Sequence, residues 1–320
     1  MQVRYIYTII SAAILSLAFT ACSKTISNKA LKSPMKDSRL LERHELTEDY
    51  LQELEEWREN RVKALSAPEG WLSLIGLHWL KEGENRIGSG KENDIILPDM
   101  MEKHIANIHL DNGSLKFTAY GESFLGTGGD QADADGTIRH DKEDNTTILR
   151  AGSLVMFVIK RADRYGLRIK NTLAESRYKL DSIPNFAANA DLIRTAKVIP
   201  VTNQKQNVGS IIGAELEYEV NAYLQFIHNG KAYQITAFDG GPDYFYIVLK
   251  DETAGESTYG AGRFVDVKRP EPGDSYVLLD FNKTYNPPCA FTDFATCPLP
   301  PQENFLPFSL LAGEKRIKNH

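Results

Sequence analysis

The hydrophobic pattern of the chain changes period once, near residue 68. Over Thr47 to Leu65, "TEDYLQELEEWRENRVKAL", apolar residues recur about every fourth position, and Leu51, Leu54, Trp57 and Leu65 mark one face of a predicted helix. Thr47 is placed to cap it. Acidic residues crowd its first half and Arg58, Arg61 and Lys63 its second, which suits the helix dipole. Pro68 and Gly70 stop it, so the helical segment is bounded at 47–69. From "GWLSLIGLHWL" onward the period is near two. Short runs such as "ANIHLD", "SLKFTAY", "AKVIPV", "YFYIVLKD" and "SYVLLDF" alternate apolar with polar and are separated by Gly, Asn, Asp or Pro. "GSLVMFVIKRADRYGLRIK" reads as a hairpin turning near Ala162 to Arg164, and Asn229-Gly230 within "FIHNGKAYQI" is a strong hairpin signal. Strands at this spacing predict a mainly β protein of two sandwich- or barrel-like modules, not a parallel sheet. The alternation lapses in "TLAESRYKLDSIPNFAANAD", which divides the modules at 70–178 and 179–320.

The first residues read as targeting sequence. Arg4 precedes an uncharged run from Tyr5 to Ala21, and Cys22 follows "FTA" directly. This resembles a bacterial lipoprotein signal, with Phe19 where Leu is usual. The resemblance implies removal of residues 1–21, acylation of Cys22, attachment to a lipid bilayer and a place in the cell envelope facing the periplasm. The 17-residue run is short for a spanning helix, which needs about 20 residues. Residues 22–46, rich in Ser, Lys and Arg, are expected to form a polar linker. The net charge of −6, with no cluster of Lys and Arg, argues against a nucleic-acid partner.

Candidate chemistry is sparse. "RIGSGKENDIILPDMMEKHIANIHL" resembles part of a forkhead-associated domain through Gly88, Asn93, Asp94, Ile95, Leu97 and His104. Ser89 stands where such domains carry a phosphate-facing Arg, and Glu102 where they carry a Ser. Without those donors the reading is a structural turn held by Asn93 and Asp94, and the first module is only weakly forkhead-associated-like. Seven histidines include no pair at the four-residue helical spacing of a zinc protease, so no metal site is expected. No phosphate-binding loop, nucleophile elbow or dinucleotide-type glycine pattern is present, and no cofactor is implied.

The richest polar stretch runs from "TYGAGRFVDV" to "LLDFNKTYNPPCAFTDFATCPLPPQENFLPFSLLAGEKR" and includes Asn304, Glu314 and Lys315. One reading makes it a ligand-facing surface for a small molecule or an envelope partner, carried by Tyr259, Arg263, Asp280, Asn282, Tyr285, Asn286 and Glu303. Arg263 would then hold a carboxylate or phosphate. A second makes it the site of a hydrolase or transferase, with Asp280 or Glu303 as base, Tyr259 or Tyr285 as acid, or Cys289 as nucleophile. A third has these polar groups satisfying the backbone of a buried loop. Cys289 and Cys297 leave four readings open, in this order: a disulfide closing the loop, worth roughly 2.5 kcal/mol, two buried thiols, a nucleophile, and metal ligands.

"EEWRENRVKALSAPEGWLSLIGLHWLKEGENRIGS", "DRYGLRIK", "TYGAGRF" and the C-terminal motif together resemble a bacterial family known as domain of unknown function 1684, from about Glu55 to Arg316. The resemblance implies a class of protein and no established activity.

Overall fold

A computed structural model describes residues 37–98, 101–120 and 136–317. The targeting segment, Cys22 and the first part of the linker lie outside the described residues. Among the described residues the first module holds eight strands: β1 (Leu74–Trp79), β2 (Gly83–Gly88), β3 (Ile95–Ile96), β4 (Ala106–Asp111), β5 (Ser114–Ala119), β6 (Leu149–Ala151), β7 (Leu154–Arg161) and β8 (Arg164–Asn171). They form two four-stranded sheets, ordered β1-β8-β7-β6 and β3-β2-β4-β5. Alternation puts Leu154, Met156 and Val158 of β7 and Leu167 and Ile169 of β8 on one face. They share a core with Ile87, Ile108 and Leu110 of the other sheet. The expected β7–β8 hairpin forms, with Ala162 in the left-handed region at its turn. The turn around Asn93 is structural: its amide nitrogen donates to the Gly90 and Lys103 carbonyls, and its oxygen lies 2.9 Å from His104 Nδ1. Asp94 accepts from the Arg86 backbone and guanidinium.

The second module is a nearly closed barrel. Its strands are β9 (Ile193–Gly209), β10 (Glu215–His228), β11 (Lys231–Asp239), β12 (Tyr244–Asp251), β13 (Arg263–Lys268), β14 (Tyr276–Asp280) and the two-residue β15 (Phe305–Leu306). The sheet order is β13-β12-β11-β10-β9-β14, and reciprocal 2.8 Å bonds between Phe264 and Tyr285 draw its ends together. Phe226, Ile235, Ile247, Val265, Leu279 and Phe281 fill it. Asn229 and Gly230 both have positive φ, as the two-residue hairpin turn requires. β9 and β10 outrun the barrel wall, and their far ends reach toward the first module.

The helix α1 (Glu48–Ser66) starts where expected, with the Thr47 hydroxyl accepting from Tyr50 N at 3.1 Å. Its packing face is shifted from the sequence reading. Leu51 is exposed, whereas Leu54 and Leu65 are buried. Arg58 and Arg61 point inward because they reach the Phe186 and Asn286 carbonyls. The helix therefore lies on the second module's C-terminal motif rather than apart from it. The linker expected over 22–46 also ends early. From Asp37 the chain is docked on the barrel: Leu40 is buried, Arg39 pairs with Asp274 at 3.2 Å, and Thr195 Oγ1 donates to Glu42 while contacting His44. One buried leucine and several polar ties, among them Tyr276 and Lys197 on Asp37, hold a segment whose composition alone reads as solvated.

The C-terminal motif closes the structure with one conformational requirement. Gly313 has φ +67°, and a Cβ there would sit 2.1 Å from the Thr284 carbonyl oxygen, so only glycine fits the turn.

Candidate functional site

The C-terminal motif has few ladder bonds, so its buried backbone groups need other partners. Most residues expected to face a ligand serve that need instead. Arg263 is 1% exposed; its Nη2 donates to Asp251 at 3.1 Å and to the Leu310 carbonyl at 2.9 Å, and its Nη1 to the Ala312 and Glu314 carbonyls. Asn282 exchanges hydrogen bonds with the Asn189 backbone, accepting at 2.9 Å and donating at 3.1 Å. Asn286 donates its backbone N–H to the Glu314 carboxylate at 2.7 Å and its amide to the Lys315 carbonyl at 2.9 Å. Glu314 pairs with Arg61 Nε at 3.1 Å. Burial pushes the Glu314 carboxyl upward against the pull of Arg61 and Asn286. Tyr285 donates to Asp266 at 2.9 Å beneath the Arg61 guanidinium, Tyr259 donates to the Cys289 carbonyl at 3.1 Å, and Glu303 accepts from Gln206. Of the seven residues read as a ligand-facing surface, Arg263, Asp280, Asn282 and Asn286 are buried and engaged with the chain itself.

Two of the residues considered for catalytic roles, Asp280 and Cys289, are likewise engaged within the chain. Asp280 accepts the Tyr50 hydroxyl at 2.9 Å and the Asn282 N–H at 3.0 Å, and burial raises its carboxyl above the usual carboxylate range. His228 is taken up by Arg194, 3.3 Å away, and by stacking on Phe308. Among the described residues no histidine bonds either thiol. Cys289 and Cys297 are free thiols, not the disulfide placed first from sequence, and the Cys289 N–H donates to Cys297 Sγ at 3.2 Å. Hydrogen bonds from Cys297 and Tyr259 hold the Cys289 thiol below its ordinary value, while bonding to Cys289 and burial push Cys297 up.

The motif does build one wall of a cleft. A cavity of about 530 Å³ opens between the modules, lined by Trp71, Lys160 and Arg161 on one side and by Tyr218, Tyr246, Phe264, Thr296 and Cys297 on the other. The β7–β8 hairpin carries the basic pair. The overhanging ends of β9 and β10 supply Asn207, Glu215 and Glu217 at the rim, with Glu217 already paired to Lys205 at 2.7 Å. Arg161 bonds Asp141 at 2.7 Å and Thr296 Oγ1 at 2.8 Å, which ties the first module to the motif. Sequence reading singled out none of Trp71, Arg161, Tyr218 or Tyr246, because they come from four segments that meet only in the fold. The available signal was on β8, where Gly166, Arg168 and Lys170 alternate with apolar residues yet Arg168 is buried, so that face is covered. Among the described residues no three His, Cys, Asp or Glu side chains are placed to hold a metal ion.

Comparison with known proteins adds a domain of unknown function and no activity. No curated protein matches the chain. A solution NMR structure of an uncharacterized protein of Haloarcula marismortui is similar to it at 28% identity over 45% of this chain and 81% of that one, with a TM-score of 0.37. Residues 178–315, which span the barrel and the C-terminal motif, match a family described as protein of unknown function (DUF1684), so the second module holds a domain of unknown function.

Proposed function

We propose that the protein is a lipid-anchored component of the cell envelope whose body binds a small molecule in the cleft between its modules. The observation that carries the binding reading is the cleft itself. It has the volume of a small-molecule site, an aromatic floor and a few convergent polar groups, and it lies where two modules meet. The anchoring reading rests on the apolar run ending at Cys22, and the acidic net charge of −6 disfavours a nucleic-acid partner. The C-terminal motif acts here as scaffold: Thr296 to Pro298 form the wall, and the buried network behind them holds that wall in place.

Asn207 is an exposed strand residue at the cleft rim, so Asn207→Trp fills the opening without disturbing a core. In a metabolite screen read by thermal shift, compounds that stabilise the native protein are expected to bind Asn207→Trp at least about tenfold more weakly. A screen with no hits, or hits indifferent to the substitution, refutes the binding reading. For the anchor, Cys22→Ser is expected to move the protein from the detergent phase to the aqueous phase on partitioning; an unchanged distribution refutes acylation at Cys22.

A further inference from the structure

Arg168 can be compared with one other buried arginine, Arg263, and with the half-buried Arg61. Arg263 meets a carboxylate and three carbonyls, and Arg61 meets Glu314 and a carbonyl. Arg168 has no such set. It is 4% exposed on the face of β8 that turns toward the second module. Its Nε has no partner, and its Nη2 makes only two long contacts, 3.5 Å to the Phe294 carbonyl and 3.4 Å to Thr296 Oγ1. Its guanidinium is otherwise boxed by Trp71 and Phe157, 5.2 and 5.9 Å from the ring centroids. Among the described residues no carboxylate pairs with it. The Thr296 hydroxyl that it approaches also receives Arg161 Nε at 2.8 Å, so two guanidinium groups converge on one neutral oxygen at the cleft wall. Among the described residues Asp141 is the single carboxylate bonded to this pair, through Arg161. Burial, with repulsion from Arg161, brings Arg168 down to about 10, the behaviour of a cation short of counter-charge. The acidic rim does not supply it at the wall, since Glu215 and Glu217 are both exposed and Glu217 is engaged by Lys205.

One buried and one half-buried guanidinium thus meet at a neutral oxygen with one carboxylate bonded to them among the described residues, and charged groups act strongly on one another where water is excluded. We infer that the cleft takes an anionic ligand, a carboxylate or phosphate carried on an aromatic or apolar body. Its oxyanion sits at Thr296 against Arg161, with Arg168 behind the wall, and its body lies on Trp71, Tyr218 and Tyr246. Lys160, held 5.0 Å above the Tyr165 ring on the same hairpin, adds to the positive field at the mouth. This inference rests on the binding reading of the cleft and names the chemical class that the cleft accepts.

The test uses phenyl phosphate, benzoate and neutral benzyl alcohol as probes, with binding followed by calorimetry and by quenching of tryptophan fluorescence. The two anions are expected to bind at least about tenfold tighter than the alcohol, the scale of one charge-assisted contact, and to weaken with added salt. Arg161→Gln should abolish that preference. Arg168→Met should weaken both anions and leave the alcohol unchanged without lowering Tm, whereas a purely structural arginine would lose stability on the same change. Asp141→Asn removes the competing carboxylate and should tighten both anions, which keeps the inference testable if Arg168→Met does not fold. The stronger of phenyl phosphate and benzoate identifies the oxyanion. Benzyl alcohol binding as tightly as the anions, or anion affinity unmoved in Arg161→Gln and Asp141→Asn, overturns the anionic class while leaving the cleft as a site. No binding by any of the three also overturns it; hits from the metabolite screen that are lost in Asn207→Trp would then still stand for the cleft.

Discussion

Replacing Asn304 with alanine is expected to lower stability by about 3–9 kcal/mol, measured as the shift in urea midpoint, because three buried backbone groups each lose their partner at about 1–3 kcal/mol. β11 and β12 pair at Phe238↔Tyr246 and Asp239↔Phe245, and continuing that antiparallel register would set Ala237 opposite Ile247 and then Thr236 opposite Val248. The ladder is open there, and the Asn304 carboxamide fills it. Its oxygen accepts from Thr236 N at 2.7 Å, and its nitrogen donates to the Thr236 and Val248 carbonyls at 2.9 Å each. The side chain thus stands in for a peptide group between two parting strands. β15, directly after it, then pairs parallel with β12 at Lys250 and Asp251. Asn304→Asp keeps the acceptor but sets a buried carboxylate oxygen against both carbonyls, so it should cost at least as much as alanine. A loss below about 1 kcal/mol for alanine, the ordinary surface range, would show that the strands can close on one another and that the wedge is dispensable.

Local rules carry much of this fold in the sequence. Thr47 caps the helix, Asn229-Gly230 turns its hairpin, and alternation in β7, β8 and β10 sorts inward from outward residues, because each effect is decided within a few residues of chain. What the sequence does not display is decided across long separations. Asn304 reaches partners 68 and 56 residues away, and nothing near it marks it as a rung of a ladder. Leu40 gives a polar segment its one buried anchor, too little for a periodicity to register. The C-terminal motif stands out as unusual, yet its purpose is ambiguous by composition. A surface that grips a ligand and a loop that satisfies its own carbonyls use the same residues, arginine, asparagine, aspartate and tyrosine, for the same hydrogen-bonding reason. Only burial separates the two, and burial assigns Arg263 and Asn282 to the loop. The cleft escaped for the opposite reason: Arg168 and Trp71 lie on ordinary strand and turn positions and become a site only when the second module covers them.

Arg263→Met is expected to cost about 3–5 kcal/mol, the scale for removing one member of a buried ion pair, and the reasons for that loss set the outcome of a second substitution. The guanidinium delivers four hydrogen bonds from two nitrogens, splayed so that one serves Asp251 and Leu310 while the other serves Ala312 and Glu314. Methionine fills similar space but leaves three carbonyls and a carboxylate, itself only 2% exposed, without that partner. Asp251 keeps its bonds from the Thr253 N–H at 2.9 Å and the Leu310 N–H at 3.0 Å, so it retains a geometry but not a counter-charge. Arg263→Lys separates the two contributions. Lysine restores the charge beside Asp251 but has a single nitrogen and cannot span both carbonyl groups. It is therefore expected to recover part of the loss and to leave the 310–314 turn loosened, read as faster amide exchange at Leu310, Ala312 and Glu314. Full recovery by lysine would mean that charge alone matters and that the carbonyl cradle is incidental. Equal loss in both variants would mean the reverse, that the fork geometry is the whole contribution. Either result bears on the cleft, because the same turn carries Glu314, and Glu314 holds the Asn286 backbone at the head of the loop that ends in Thr296 and Cys297. If the turn loosens, the cleft wall loses its support, and ligand affinity in Arg263→Lys should fall with no change to any residue that lines the cleft.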